Sequence, residues 1–156
     1  MLMIIGFLFS VFITLAMSIM TGMFSPRTGH GSLLIDLPSA FLMFVFWLFF
    51  FFTSKSGSII GRYIKSSFKK SYNYTKAELV SLSVAVKNTV KFTLATGGFG
   101  FLTGVIASLM YLENRDMLGP NLAVSLFTVL HSITASYLIF FPVQAWAENK
   151  INAMEK

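Results

Sequence analysis

The side chains in this sequence that could do chemistry lie mainly in one apolar stretch after residue 120. This stretch carries six of them: Ser125, Thr128, His131, Ser132, Thr134 and Ser136. At 3.6 residues per turn, Ser125, Thr128 and Ser132 fall on one face of a helix, together with Ala135. Such a stripe of hydroxyl groups could line a wet path or meet a polar group on another helix. Alternatively, each hydroxyl could bond to a carbonyl oxygen of its own helix.

His131 lies near the middle of the same stretch. An ionisable group in the middle of a membrane helix is a functional candidate, because its charged form is costly there. The alternative is a neutral imidazole that bonds to a neighbouring hydroxyl group. The residues alone leave both interpretations open.

The rest of the inventory argues against catalysis. The chain has two His, six acidic residues and no Cys. It contains no HExxH, P-loop or GxSxG pattern, so neither metal-dependent nor nucleophilic chemistry has its usual residues. We therefore expect no enzyme, no cofactor, no metal site and no disulfide.

The composition is that of a membrane protein. Hydrophobic residues make up 55% of the 156 residues, 18 of them Phe, and the mean hydropathy is +0.73. One small core could not bury that much apolar surface. The net charge of +6 is explained by membrane topology, and we expect no nucleic-acid partner.

Four apolar runs predict an all-α polytopic membrane protein, a single membrane domain over residues 1–156. The four transmembrane helices are expected at about residues 1–23, 33–53, 92–112 and 122–146. Each is close to the length of about 20 residues that crosses a bilayer. The first run has no charged segment before it and no small-residue cleavage site, so we interpret it as a retained helix.

The basic residues predict the orientation of these helices. Segment 54–91 contains eight Lys and Arg residues and one acid, Glu78. Such an excess is typical of cytoplasmic loops. Both termini are then cytoplasmic, and the loops 24–32 and 113–121 lie on the other side.

Two alternatives remain for the start of the basic segment. Apolar side chains recur there at helical spacing beside basic ones: Ile59, Ile60, Tyr63, Ile64 and Phe68. This pattern could form an amphipathic helix on anionic headgroups. The favoured alternative is that the second span continues straight into the cytosol. Further along, residues 75–90 show a similar apolar spacing and predict a helix that leads into the third span.

Small residues and helix-start signals complete the local patterns. Gly100 and Gly104 in the third span are spaced to let another helix approach closely, and Ala107 or Ser108 continues the row. That helix could be the fourth span of the same chain or a helix of another subunit. Asp36 before Pro38 is typical of a helix start, whereas an ion-pathway role for Asp36 is the weaker alternative. Gly119 and Pro120 are expected to shape the loop before the fourth span.

Several of these segments resemble the MotA/TolQ/ExbB proton-channel family, and in particular the flagellar stator subunits MotA and PomA. The resemblance runs from Gly97 to Pro142 and includes the spacing Gly97-x-x-Gly100-x-x-x-Gly104. It continues in Leu118-Gly119-Pro120-x-x-Ala123-Val124-Ser125-Leu126 and in the exit Ile139-Phe140-Phe141-Pro142. The segment Ile35-Asp36-Leu37-Pro38-Ser39 also resembles a family motif. The order of four spans is similar to that of MotA.

The resemblance implies a homopentameric ring in the bacterial inner membrane. The third and fourth spans would surround two copies of a MotB-, ExbD- or TolR-like single-span partner, which carries the ion-binding carboxylate. Flow of protons or sodium ions would drive the ring around that partner, and Pro142 would act as a gating hinge. We expect ten residues to face the pore or the partner: Gly97, Gly100, Phe101, Thr103, Gly104, Ser125, Thr128, Val129, His131 and Ser132.

The sequence also departs from the family pattern. The cytoplasmic domain that acts on the flagellar rotor is reduced to about forty residues. Phe101 and Leu94 replace a glycine-threonine position and a proline, and a threonine pair becomes Thr128-Val129. The lost threonine favours protons over sodium, because hard cations need oxygen ligands.

The phase of the fourth span allows two kinds of ring axis. The resemblance points Leu126, Val129 and Ile133 towards the axis, whereas the hydroxyl stripe lies about 100° away. With an apolar axis, the ring would clamp its partner tightly and leave the ion path to the subunit interfaces. The alternative function is a non-conducting scaffold ring derived from the same family, which Phe101 and Val129 could indicate.

Overall fold

The computed structural model of the protein describes residues 37–68, 72–110, 112 and 115–155, together with Leu8 and Phe12. The predicted first span, the loop 24–32 and the expected cap at Asp36 lie outside the described residues, apart from those two positions.

The described chain is all-helical. In order, its elements are α1 (Leu37–Thr53), α2 (Ser56–Ser67), α3 (Lys76–Met110), α4 (Arg115–Thr134), a π-helical segment (Ala135–Phe140) and α5 (Phe141–Ala153). The last three elements follow one another without a break.

Two of these helical stretches are long and apolar enough to cross a membrane. They are α3 and residues 121–153, in which a window of 18 residues has a mean hydropathy of 1.5 and 1.7, respectively. A third candidate exists if α1 and α2 are counted as one broken span. The described residues therefore form a helical membrane protein with two or three candidate spans. The four-span count and the pentameric ring stay predictions.

A sharp bend separates α1 from α2. The helix axes turn by 97° at this break, so the prediction that the second span continues straight is wrong. The bend brings the first turn of α2 onto α1: a Cβ atom at Gly57 would lie 2.8 Å from the Phe51 carbonyl oxygen. It also lets α2 bury Ile60 and Tyr63, which a straight continuation would leave in solvent.

The helix predicted over residues 75–90 is confirmed as the first part of α3. Its start carries a capping box, in which the Thr75 amide donates to Glu78 Oε2 over 3.0 Å. In return, the Glu78 amide donates to Thr75 Oγ1 over 3.3 Å. At 1.5 Å per residue, α3 is about 52 Å long, well beyond the roughly 30 Å of a hydrocarbon core. Part of α3 therefore extends out of the bilayer.

The helix α4 begins earlier than predicted. It starts at Arg115, so the loop predicted over 113–121 is wrong in its second part, and Gly119 and Pro120 lie within the helix. Because Pro120 is the sixth residue of α4, beyond the first turn, its missing amide hydrogen removes one backbone hydrogen bond of the helix. At the start of α1, Pro38 is in the first turn, as predicted.

The hydrophobic core lies at one end of the bundle, formed by α2, the first half of α3, the π-helical segment and α5. We call this end the polar base, because it also carries charged side chains. Its buried residues are Ile60, Tyr63, Leu79, Leu82, Ala85, Val86, Ala135, Phe140, Val143 and Ala147. Beyond the polar base the pattern inverts. Apart from Met43 of α1, the buried residues there are glycines and hydroxyl residues, while large apolar side chains such as Leu102 and Ile106 are exposed. This inversion is expected where lipid, not water, surrounds the helices.

Candidate functional site

The candidate site is the interface between α3 and α4. There the glycine row of α3 (Gly97, Gly100 and Gly104) meets the hydroxyl stripe of α4 (Ser125, Thr128 and Ser132). Ser125 is fully buried, and Thr128 and Ser132 are each 2% exposed. On α3, Gly97 and Gly100 are buried and Gly104 is half-buried. Two features of the sequence that were candidates for contact with other subunits are therefore packed against each other within one chain.

Each glycine of the row faces one hydroxyl residue. A Cβ atom on Gly97 would collide with Ser132 Oγ, and one on Gly100 with the methyl group of Thr128. A Cβ atom on Gly104 would collide with Ser125 Oγ and would lie 2.9 Å from Ser125 Cβ. Packing of the third span on the fourth is thus the arrangement in this structure. The close approach requires glycine at all three positions.

The hydroxyl groups of the stripe donate to carbonyl oxygens of α4 itself. Ser125 Oγ donates to Asn121 over 2.7 Å, Thr128 Oγ1 to Val124 over 2.9 Å and Ser132 Oγ to Val129 over 2.8 Å. These bonds agree with the interpretation in which each hydroxyl bonds to a carbonyl oxygen of its own helix. Within a single chain these groups do not line an open path.

The outward face of α4 is apolar. Leu126 and Ile133 are 56% and 45% exposed, and Val129 is half-buried. On α3, Phe101 is half-buried, and the exposed Thr103 donates its hydroxyl to the Gly100 carbonyl over 2.9 Å. The phase of α4 is therefore settled for the isolated chain: hydroxyls point inward and large apolar side chains point outward. Which residues face a pore or a partner stays a prediction.

His131 is held in one tautomer by its own helix. Its Nδ1 lies 2.7 Å from the Phe127 carbonyl oxygen, which can only accept, so Nδ1 carries the hydrogen. In the neutral ring, Nε2 is then an acceptor. This atom is buried and has no hydrogen-bond partner among the described residues. Among the described residues, no hydroxyl group bonds to the imidazole, contrary to the prediction of a neutral ring bonded to a neighbouring hydroxyl.

Three more hydroxyl residues of α3 are buried between the candidate site and the polar base: Thr89, Thr93 and Thr96. The sequence analysis did not predict a role for them. Thr89 donates to the Ala85 carbonyl over 2.8 Å. Thr93 Oγ1 instead accepts a hydrogen bond of 2.9 Å from Trp47 Nε1 of α1. Trp47 also packs edge-on against Phe140, with ring centroids 5.5 Å apart. It therefore fastens α1 to both long helical stretches.

A π-helical segment lies directly before the expected hinge at Pro142. Pro142 is the second residue of α5, and the Phe141 amide donates to the Ser136 carbonyl five residues earlier. Proline cannot bond to a carbonyl four residues back, so the widened turn fits the position before it. Ser136 Oγ is buried and has no partner among the described residues. The gating role itself stays a prediction.

The polar base holds the charged and aromatic groups. The rings of Tyr63, Tyr74 and Trp146 pack together, and Lys150 Nζ lies 5.3 Å from the Trp146 centroid. In the same helix, Glu148 accepts hydrogen bonds from Gln144 and from Ser83 of α3.

A cavity of about 220 Å³ opens beside this cluster, between α2 and the start of α3. Its lining includes Arg62, Tyr72, Tyr74 and Glu78. Nothing in the described part of the chain assembles three His, Asp or Glu side chains that could hold a metal ion.

Comparison with known proteins shows a distant, partial similarity to one motility protein and to one uncharacterized protein. The chain is 39% identical to Motility protein A of Borreliella burgdorferi over 69 residues, which is 44% of this chain and 26% of that protein. It is 37% identical to the uncharacterized protein YtxD of Bacillus subtilis over 60 residues, 38% of this chain and 22% of that protein. The chain thus spans about a quarter of the length of these curated relatives, or less. No protein-family model and no solved structure matches it.

Proposed function

We propose that this chain is the ring-forming subunit of an ion-driven membrane motor or channel of the MotA type. The observation that carries the proposal is the 39% identity over 69 residues to Motility protein A. In this proposal, five copies form a ring around two copies of a MotB-like single-span protein. The ring lies in the bacterial inner membrane with both termini and segment 54–91 in the cytoplasm.

The packing of α3 on α4 supports a role as the wall of such a ring. Three glycines and three hydroxyl residues bring the two helices into close contact, which makes the pair a stiff unit. Large apolar side chains, such as Phe99 on α3 and Leu126 on α4, cover its outside. That surface can meet lipid, a neighbouring copy or the partner helices without an unpaired polar group.

The ion-binding carboxylate must come from the partner. Residues 92–112 and 122–146 contain no Asp or Glu, so these helices cannot bind a proton or metal ion through a carboxylate of their own. Val129 beside Thr128 removes one possible oxygen ligand, which favours protons over sodium ions. His131 Nε2, buried and without a partner among the described residues, is the acceptor on this subunit that we expect a proton to meet.

The geometry of α4 also favours a second candidate, a non-conducting scaffold ring. The hydroxyl groups are turned inward and bond to their own helix, and the exposed face carries Leu126 and Ile133. A ring lined by such a face would clamp its partner through apolar contacts. It would need no ion flow to do so.

One experiment tests the proposal and separates the two candidates. The chain is co-expressed with a single-span membrane protein that has a mid-membrane Asp, purified in mild detergent, and the mass of the complex is measured. A mass of five copies with two partner copies is expected, whereas a monomer without a partner would overturn both candidates. Proton flux is then measured in proteoliposomes with a pH-sensitive dye. If the chain is a motor subunit, flux is expected with the partner and should disappear when the partner's Asp is replaced by Asn. A scaffold shows no flux with either partner.

A further inference from the structure

The exposed surface of α2 has two distinct faces. Gly57, Gly61, Ile64 and Phe68 follow one another at spacings of four, three and four residues, so they share one face of the helix. On the other side, Ile60 and Tyr63 are buried in the polar base. Beyond Gly57, which packs against the end of α1, no described residue covers the first face: Ile64 is 38% and Phe68 is 68% exposed. We call this face, defined by these four residues, the α2 outer face.

The bend between α1 and α2 shows which way the α2 outer face points. Gly57, its first member, lies against the last turn of α1, where a Cβ atom would be 2.8 Å from both Cβ and the carbonyl oxygen of Phe51. The face is therefore turned towards the side from which the apolar α1 arrives. Because α2 runs at 97° to α1, the face extends about 16 Å sideways from the end of that helix.

Two exposed lysines lie near the α2 outer face. Lys65 follows Ile64 at the edge of the face, and Lys55 lies at the bend, just after the end of α1. Arg62, about 100° round the helix from Gly61, lines the cavity at the start of α3. Long lysine side chains can keep their charge at the headgroups while their stems lie on apolar groups.

We propose that α2 lies in the membrane surface and that the α2 outer face binds anionic phospholipid headgroups. Ile64 and Phe68 enter the boundary between headgroups and acyl chains, and Lys55 and Lys65 contact the phosphate groups. Charge complementarity and continuity with α1 select lipid as the occupant. Phe52, 86% exposed in the last turn of α1, joins the lipid-facing surface of that helix to α2.

Cysteine labelling tests the orientation of α2 in the full chain, whose sequence contains no Cys. An environment-sensitive fluorophore is attached to Gly61→Cys on the α2 outer face, where no atom lies within 4 Å of the added Cβ. The matched control is Arg62→Cys, one residue and about 100° further round the helix. In phosphatidylglycerol-containing vesicles, the label at 61 is expected to be quenched by spin-labelled lipid and shielded from iodide. The label at 62 is expected to show the reverse.

Equal access of iodide to both labels would overturn the proposal, because α2 would then stand away from the bilayer. Shielding of the label at 61 from iodide without quenching by spin-labelled lipid would also overturn it, because another protein copy would then be the occupant.

The role of the charges is tested by the retention of phosphatidylglycerol over phosphatidylcholine on the purified protein. Replacing Lys55 and Lys65 by Gln is expected to lower this preference by about fivefold per lysine. The control replaces two exposed lysines of α3, Lys87→Gln and Lys91→Gln, and removes the same charge. An equal loss of preference in the control would show that net charge, not this helix, selects the lipid, and would contradict the proposal.

Discussion

Gly104 of α3 lies so close to Ser125 of α4 that an added Cβ atom would be 2.9 Å from the serine Cβ. The same relationship links Gly100 to Thr128 and Gly97 to Ser132. Small residues thus serve one purpose along the whole contact, which is to let two helix backbones approach. The hydroxyls fit this contact because each donates to its own helix.

Substitution of Gly104 by Ala should therefore destabilise the protein. The added methyl group must push α4 away or shift Ser125, and overpacking of this kind costs about 1–3 kcal/mol. Gly98→Ala is the matched control, because no atom lies within 4 Å of the Cβ position at Gly98. Melting temperatures in detergent, followed by circular dichroism, should fall for Gly104→Ala and stay level or rise for Gly98→Ala. An unchanged value for both would mean that the helices are further apart than described.

The Trp47–Thr93 hydrogen bond should contribute measurably to the attachment of α1. Trp47→Phe removes the donor and leaves the buried Thr93 hydroxyl without it, at a cost of about 0.5–1.5 kcal/mol. Thr93→Val removes the acceptor at nearly constant shape. A double-mutant cycle on unfolding in sodium dodecyl sulfate should show that the two changes together destabilise less than their sum. Strict additivity would show that the two side chains do not interact.

Features of the fold and of the candidate site that depend on neighbouring residues in the sequence could be predicted, whereas features that depend on contacts between distant residues could not. The third span with its glycine row and the helix over residues 75–90 follow from periodicity, which is a local property. Periodicity does not predict the direction of the hydroxyl stripe, because Ser125, Thr128 and Ser132 fit a pore lining and a helix contact equally well. The resemblance to the family points Leu126, Val129 and Ile133 towards the axis and leaves the stripe undecided; the glycines opposite the stripe decide the contact within one chain.

The bend after α1 was missed for a similar reason. Gly57 is one of several small residues near the basic segment, and its role depends on its contact with Phe51. Burial of Ile60 and Tyr63 depends on α3, which lies later in the chain. The π-helical segment before Pro142 had a local signal, the proline itself, but proline alone also fits a simple kink.

Gly57→Ala tests the bend directly. A methyl group at this position would lie 2.8 Å from the Phe51 carbonyl oxygen and Cβ, so α2 must rotate or move outward. We expect a loss of about 1–3 kcal/mol in stability and a longer distance between spin labels on α1 and α2, measured by electron paramagnetic resonance. Gly61→Ala, four residues further along with open space around it, should leave the distance unchanged and keep or raise the stability, because alanine has the higher helix propensity. A loss of equal size in Gly61→Ala would show that the contact with Phe51 is not the cause.

The phase of α4 predicts which substitutions disturb a bound partner. If the outward face meets the partner helices of the proposed ring, Leu126→Asn places a polar group in an apolar contact. Loss of such a central contact costs about 2 kcal/mol, which corresponds to roughly thirty-fold weaker binding. Thr128→Val keeps the shape of a side chain that is 2% exposed and should leave binding unchanged. Co-purification of the partner measures both, and the opposite ranking would place the hydroxyl stripe at the ring axis.

Glu78 should make stability depend on pH. The Thr75 amide, followed by the Tyr72 hydroxyl, donates to its carboxylate and holds its pKa below the usual value of about 4.3. A carboxyl group whose pKa is lower in the folded state stabilises that state fully above the unfolded pKa. The contribution is lost as the pH falls through the folded pKa. The melting temperature should therefore drop on acidification below about pH 4.5, with a smaller drop for Glu78→Gln, whose amide oxygen accepts hydrogen bonds without titrating. Parallel curves for the two proteins would show that the start of α3 does not depend on this charge.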